Sequence, residues 1–159
     1  MANSQLDKVR ILVVSDSHTD TCFINNLLNK EKNIDYFFHL GDSELPSEYI
    51  SPFVGVEGNC DYYEYPKAKI VEINNKRLYL FHGHTMRLTI DNLVLLAKSN
   101  NCDIIMHGHT HTPYIEYIDG VYVMCPGSIR YPRYDYPTYA IIEIDKNVVI
   151  RIKEYESGE

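Results

Sequence analysis

Two patterns of apolar and polar positions alternate along this chain. Short apolar runs stop abruptly at His, Asp or Asn, and two longer stretches place apolar residues every three or four positions. Val9-Arg10-Ile11-Leu12-Val13-Val14 is rich in β-branched residues and nearly all apolar, the pattern of a strand covered on both faces. It ends at Ser15-Asp16-Ser17-His18. Over about residues 21–30, Ile24, Leu27 and Leu28 share one face of a predicted helix. Residues 36–40 and 53–56 read as strands, ending at Gly41-Asp42 and at Gly58-Asn59-Cys60-Asp61. A hairpin is predicted from Ala68–Ile73 and residues 77–81 about an Asn74-Asn75 turn, ending at His82-Gly83-His84. A helix over about residues 88–99 leads to a strand at 103–106 that ends at His107-Gly108-His109-Thr110-His111. The last third reads as paired strands. Residues 114–118 and 121–124 flank the Asp119-Gly120 turn, and 138–144 and 148–155 flank Asp145-Lys146-Asn147. With no repeat, linker or low-complexity stretch, residues 1–159 are expected to form one domain.

Five apolar runs therefore end in a polar cluster. Ligands of open α/β sheets bind at the carboxyl ends of strands, so strands lying side by side would gather these clusters into one site. The candidate metal donors are Asp16, His18, Asp42, Asn59, His82, His109 and His111. A mixed nitrogen and oxygen set without thiolate suits Mn, Fe, Ni or Zn better than Ca or Mg. A structural zinc site would close on four ligands, usually with cysteines. The larger set here matches two ions that share the Asp42 carboxylate. Two divalent ions, two carboxylates and a hydroxide would leave the pocket about one unit positive, a field that draws in a phosphate ester.

Composition narrows the classes further. Apolar residues make up 45% and charged residues 23% of the chain, the balance of a soluble globular protein. No stretch approaches the roughly 18 apolar residues that a membrane helix needs, and the polar start does not resemble a secretory signal. A cytoplasmic protein is expected. A formal charge of −7 with no basic run argues against a nucleic-acid groove. The cysteines form no CxxC pair, so Cys22, Cys102 and Cys125 are expected as small buried hydrophobes. His39 and His107 lie inside apolar runs and read as packed histidines beside the site. Arg130 and Arg133 follow Pro126-Gly127-Ser128; Arg130 is a candidate phosphate contact, with a surface ion pair as the other reading. Arg87 reads as solvated. Tyrosines cluster at Tyr62, Tyr63 and Tyr65 and at Tyr131, Tyr134, Tyr136 and Tyr139. Together with apolar hairpins, such tyrosines are compatible with a homo-dimer.

Taken in order, Asp16-x-His18, Gly41-Asp42, Gly58-Asn59-Cys60-Asp61, His82-Gly83-His84 and Gly108-His109-Thr110-His111 resemble the calcineurin-like metallophosphoesterases. The Gly-Asn-Cys-Asp form and short length are similar to the small YfcE-type phosphodiesterases, over about residues 9–144. This resemblance implies an α/β fold, a metallophosphoesterase-like sandwich of two mixed β-sheets flanked by helices. It implies two divalent metal ions per chain, Mn²⁺ first, with Ni²⁺, Fe²⁺ or Zn²⁺ as alternatives. Asp16, His18, Asp42 and His111 would hold one ion, and Asp42, Asn59, His82 and His109 the other. The implied activity is hydrolysis of a small-molecule phosphodiester by in-line attack of a hydroxide bridging the ions, without a phosphoenzyme. Many family members carry His after Gly-Asn, where this chain has Cys60. Cys60 and His84 are therefore the candidate catalytic groups for leaving-group protonation. The rival reading is a catalytically weak or inactive interaction scaffold of the same fold. It resembles the retromer subunit, which lacks the full ligand set. A hydrolase of the β-lactamase-like type, with His-x-His-x-Asp-His, is excluded because Thr112-Pro113 follows His111.

Overall fold

A computed structural model describes residues 6–133 and 135–157. The first residues of the polar start, and Tyr134 of the second tyrosine cluster, lie outside the described residues. The chain runs β1 (Val9–Val14), α1 (Cys22–Lys30), β2 (Tyr36–His39), a 3₁₀ turn (Ser47–Ile50), β3 (Val54–Gly55), β4 (Ala68–Ile73) and β5 (Lys76–Phe81). It continues through α2 (Ile90–Ser99), β6 (Ile104–Met106), β7 (Tyr114–Ile118), β8 (Val121–Cys125), β9 (Thr138–Ile144) and β10 (Val148–Glu154).

These strands form two five-stranded mixed sheets, ordered β10-β9-β1-β2-β3 and β4-β5-β6-β8-β7. Side chains alternate across a strand, so each central strand feeds two cores. On β1, Ile11 and Val13 point between the sheets, where they meet Leu78, Leu80, Ile104, Met106 and Met124 of the opposite sheet. Leu12 and Val14 point outward onto Phe23, Ile24 and Leu27 of α1. On the other sheet, Ile105 and Val123 pack outward against Leu93, Val94 and Ala97 of α2. The result is the helix–sheet–sheet–helix sandwich expected from the resemblance. Both faces of β1 are buried, which is why its sequence shows no alternation.

The hairpin turns follow their sequences. Asn74 and Asn75 take φ of 50° and 66°, and Asp119 and Gly120 take 52° and 81°, the left-handed pair that a two-residue hairpin needs. Three expectations change. Only Val54 and Gly55 of the run at 53–56 pair with β2, because Phe53 turns into the α1 core and donates its N–H to Ile50. Cys22 is exposed: it opens α1 one residue before the buried face begins, whereas Cys102 and Cys125 are buried as expected. Tyr139 does not join its neighbours at the surface. It is fully buried and donates its hydroxyl to Glu31, while Tyr131 and Tyr136 stay exposed. Among the described residues no helix is long and apolar enough to cross a membrane.

The five polar clusters do not come from one sheet. β1, β2 and β3 run parallel in the first sheet, and β5 and β6 run parallel in the second. Their carboxyl ends meet at one edge of the sandwich, so the site lies across the seam between the sheets.

Candidate metal centre

The loops after β1, β2 and β6 are bent sharply by their own backbone. Asp16, His18, Asp42, His109 and His111 all have left-handed φ, at 56°, 42°, 62°, 74° and 59°. For residues with a Cβ such conformations cost about 1 kcal/mol or more each, and they persist where surrounding contacts fix them. The loops after β1 and β2 run together, with the Asp16 amide donating to Gly41 O at 3.0 Å and the His18 amide to Asp42 O at 2.9 Å. Asp61 ties down the next turn by accepting from the amides of Asp42 (2.9 Å), Gly58 (2.7 Å) and Glu44 (2.7 Å). Within the second sheet's loops the Gly108 amide donates to His82 O at 3.0 Å, and across the seam the His109 amide donates to Asp16 Oδ2 at 3.1 Å. Gly108 lies so close to the β1 loop that a Cβ there would stand 2.0 Å from Ser15 Oγ.

All seven sequence-predicted donors converge here. Asp16 Oδ1 lies 3.3 Å from His111 Nε2, 3.7 Å from His82 Nε2 and 4.0 Å from His18 Nε2. Asp42 Oδ2 lies 3.2 Å from His82 Nε2. Asn59 Oδ1 is 3.0 Å from His82 Nε2 and 3.2 Å from His109 Nδ1. Three imidazoles are oriented through their other nitrogen. The Nδ1–H of His82 donates to Leu40 O at 2.7 Å, that of His111 to Tyr131 O at 2.6 Å, and that of His18 to Glu44 Oε2 at 2.7 Å. Each Nε2 lone pair is thereby turned toward the carboxylates.

Burial alone would raise the Asp16 carboxyl, but the His111 and His82 imidazoles beside it and the Ser15 hydroxyl together hold it below the usual carboxylate range. Burial is likewise outweighed at Asp42, which His82, the Cys60 amide and His18 hold at about 2. Both carboxylates are therefore ionised at neutral pH. Asp16 Oδ2 accepts from Ser15 and His109, yet Oδ1 is buried with no hydrogen-bond partner. An ionised oxygen in that state, facing imidazole nitrogens, fits a divalent cation. Two of the donor groups, Asp16 with His18 and His111, and Asp16 with Asp42 and His82, each have ligand atoms within 4.8 Å of one another.

His39 and His107 are packed, as expected. His39 Nδ1 accepts from the Gly41 amide at 3.1 Å and its Nε2 meets Ser17 Oγ at 2.8 Å. His107 Nδ1 donates to Gly108 O and its Nε2 accepts from Tyr114, both at 2.7 Å. Burial first of all depresses each to about 4, so both stay neutral and buttress the loops. Cys60 stands beside His18 and Asp42. Burial, then the charges of Asp42 and Glu44, push its thiol up to about 11, so it keeps its proton at neutral pH. The His84 ring sits 5.5 Å from His82, and its Nδ1 is buried without a partner. It lines a cavity of about 140 Å³ together with His82, Gly83, Thr85, Lys67 and Glu57. Arg130 lies at the rim. Its guanidinium donates to His18 O and to Thr19 Oγ1 and stacks 4.7 Å over Tyr131, so it braces the β1 loop.

Sequence reading passed over Glu44, Asp61 and Ser128, none of which belongs to the donor set. Ser128 Oγ donates to Asp16 O at 2.8 Å. Asp61 and Glu44 sit in polar turns, where nothing in their spacing marks them.

A sandwich of this topology, with carboxylates from the first sheet and imidazoles from both at one edge, is the arrangement of a metal-dependent hydrolase class. The calcineurin-like phosphoesterase superfamily domain matches residues 9–147, and the chain belongs to that family. The chain is 29% identical over 146 residues to the probable metallophosphoesterase YsnB of Bacillus subtilis, covering 87% of this chain and 86% of that protein. It is 29% identical over 122 residues to the phosphodiesterase YfcE of Escherichia coli, covering 70% and 64%. Among solved structures, a predicted phosphoesterase from Streptococcus pneumoniae superposes with a TM-score of 0.85 at 29% identity, covering 94% of this chain and 91% of that one. Vacuolar protein sorting 29 from Cryptosporidium parvum superposes at 0.80 with 17% identity, covering 96% and 94%.

Proposed function

We propose that this protein is a phosphodiesterase that holds two divalent metal ions at Asp16, His18, Asp42, Asn59, His82, His109 and His111. The observation that carries the reading is the buried, ionised and unpartnered Asp16 Oδ1, surrounded by imidazole nitrogens already turned toward it. When bound, such ions supply Lewis acidity toward phosphoryl oxygens and ionise a shared water near neutral pH for in-line attack. The chain's own residues then have distinct tasks. Asp42 is the carboxylate that would serve both ions, and Asn59 adds a neutral oxygen without further charge. Leu40 O and Tyr131 O keep His82 and His111 in the tautomer that offers Nε2. His84 and the protonated Cys60 are the groups that can offer a proton to a departing alkoxide, and the cavity beside His84 has room for part of that alcohol. Arg130 stands where it can reach a phosphate oxygen if it releases the β1 loop.

The relatives named as phosphoesterases and a phosphodiesterase support this choice of reaction. The likeness to vacuolar protein sorting 29 is one of fold, and the complete donor set favours an enzyme over a scaffold. Mn²⁺ is the first metal to try, with Ni²⁺, Fe²⁺ and Zn²⁺ beside it. The test strips the protein with chelator, restores one metal at a time, and follows bis-p-nitrophenyl phosphate beside the corresponding monoester. Metal-dependent diester turnover is expected, falling on the order of 100-fold or more in Asp42→Ala and His109→Ala. Equal turnover in parent and variants would overturn the reading, and a parent that binds no divalent ion would favour the scaffold.

A further inference from the structure

Three imidazoles of the donor set are oriented through Nδ1, but their acceptors are not alike. His82 and His111 donate to the main-chain carbonyls of Leu40 and Tyr131. His18 donates instead to the Glu44 carboxylate, at 2.7 Å. A carboxylate behind a metal-binding imidazole does more than orient it. The charge-assisted hydrogen bond increases the electron density that Nε2 offers, and it brings a further negative charge to within one ring of the ion.

Glu44 is also built into place rather than resting there. Its backbone is held left-handed at φ 61°, and its amide donates to Asp61 Oδ1 at 2.7 Å. The other oxygen of Asp61 accepts from the amides of Asp42 and Gly58. One side chain therefore fixes the shared carboxylate and the partner of His18 together. The Glu44 side chain is 30% exposed and that of His18 17%, so solvent screens the pair only in part.

Resting on the two-metal reading above, we propose that Glu44 is a positioning residue that makes the two metal positions unequal. The ion beside His18 and His111 is held more tightly than its neighbour beside His82 and His109. That neighbour has one imidazole backed by a neutral carbonyl, and a second, His109, whose Nδ1 is turned inward beside the Asn59 oxygen and has no carboxylate behind it among the described residues.

The experiment is calorimetric titration of chelator-stripped protein with Mn²⁺, for the parent, Glu44→Gln and Glu44→Ala. Glutamine keeps the length and an oxygen acceptor, and so changes only the charge behind His18. The parent is expected to show a tight and a weak phase. In Glu44→Gln the tight phase weakens by about 10- to 100-fold while the weak phase holds, and Glu44→Ala does so at least as strongly. Two phases in the parent that neither variant alters would overturn the role of Glu44 and leave the two-metal reading standing. Equal weakening of both phases would also overturn it, since that is the signature of a loop merely loosened. A parent that binds no Mn²⁺ would remove the two-metal reading itself.

Discussion

A methyl group at residue 58 would lie 2.2 Å from Asp42 Oδ1 and 2.5 Å from the Asp42 amide nitrogen. Neither neighbour can yield easily, because Asp61 holds that amide and the Cys60 amide holds that oxygen at 2.8 Å. Gly58→Ala is expected to cost about 1–3 kcal/mol of stability, as overpacking does. It should also displace the carboxylate proposed to join the two ions. Denaturant unfolding reads the first effect and metal titration the second. A variant with the parent's stability and the parent's Mn²⁺ affinity would show that the contact relaxes freely. Residues of this kind mark how far the sequence could be read. Asp16, His18, Asp42 and the histidines stood out because each follows an apolar run, and polar donors there have few structural uses. Glu44 and Asp61 lie in turns rich in polar residues, where side chains of their type are ordinary. Their contacts depend on which loops the fold brings together, and spacing along the chain does not encode that.

Elements were legible in proportion to how strongly packing repeats along them. α1 and α2 carry apolar residues every three or four positions, and the predicted helices overlap the observed ones to within two residues at each end. The start of α2 is set by a side-chain cap, whereas Thr21 before α1 makes none. Thr89 ends the predicted first turn of α2, because its hydroxyl accepts from the Asn92 amide at 3.2 Å. Thr89→Ala is expected to cost about 1 kcal/mol, read as a lower urea midpoint with an unchanged slope. An unchanged midpoint would mean that packing against β6 and β8 alone fixes the helix start. β3 was overread because Phe53, Val54 and Val56 look like a strand, while tertiary packing turns Phe53 away after two paired residues. The 3₁₀ turn at Ser47–Ile50 had no periodic signal to give. The division into two sheets came from family resemblance. The runs alone were equally compatible with a single parallel sheet.

For the molecule as a whole, that division matters more than any one element. Asp16, His18, Asp42 and Asn59 come from the first sheet's loops, and His82, His109 and His111 from the second's, so a cation between them would add a tie to two layers that meet through apolar packing and a few loop hydrogen bonds. Binding to the folded state alone stabilises it by about 2.7 kcal/mol at a ligand concentration of a hundred times Kd. For a chain of this size each kcal/mol moves the melting temperature by roughly 2–4 °C, so saturating Mn²⁺ should raise it by about 5–10 °C over the chelated protein. Asp16→Asn is the decisive control. It keeps an oxygen near the place of Oδ1 but removes the charge that faces three imidazoles across both sheets. The metal-dependent rise should shrink to a small fraction in that variant while its chelated melt remains cooperative. A rise of the same size would place the stabilising ion elsewhere on the surface. The absence of any rise in the parent, with binding seen by calorimetry, would mean that the apolar interface already fixes the two sheets and that the ions serve chemistry alone.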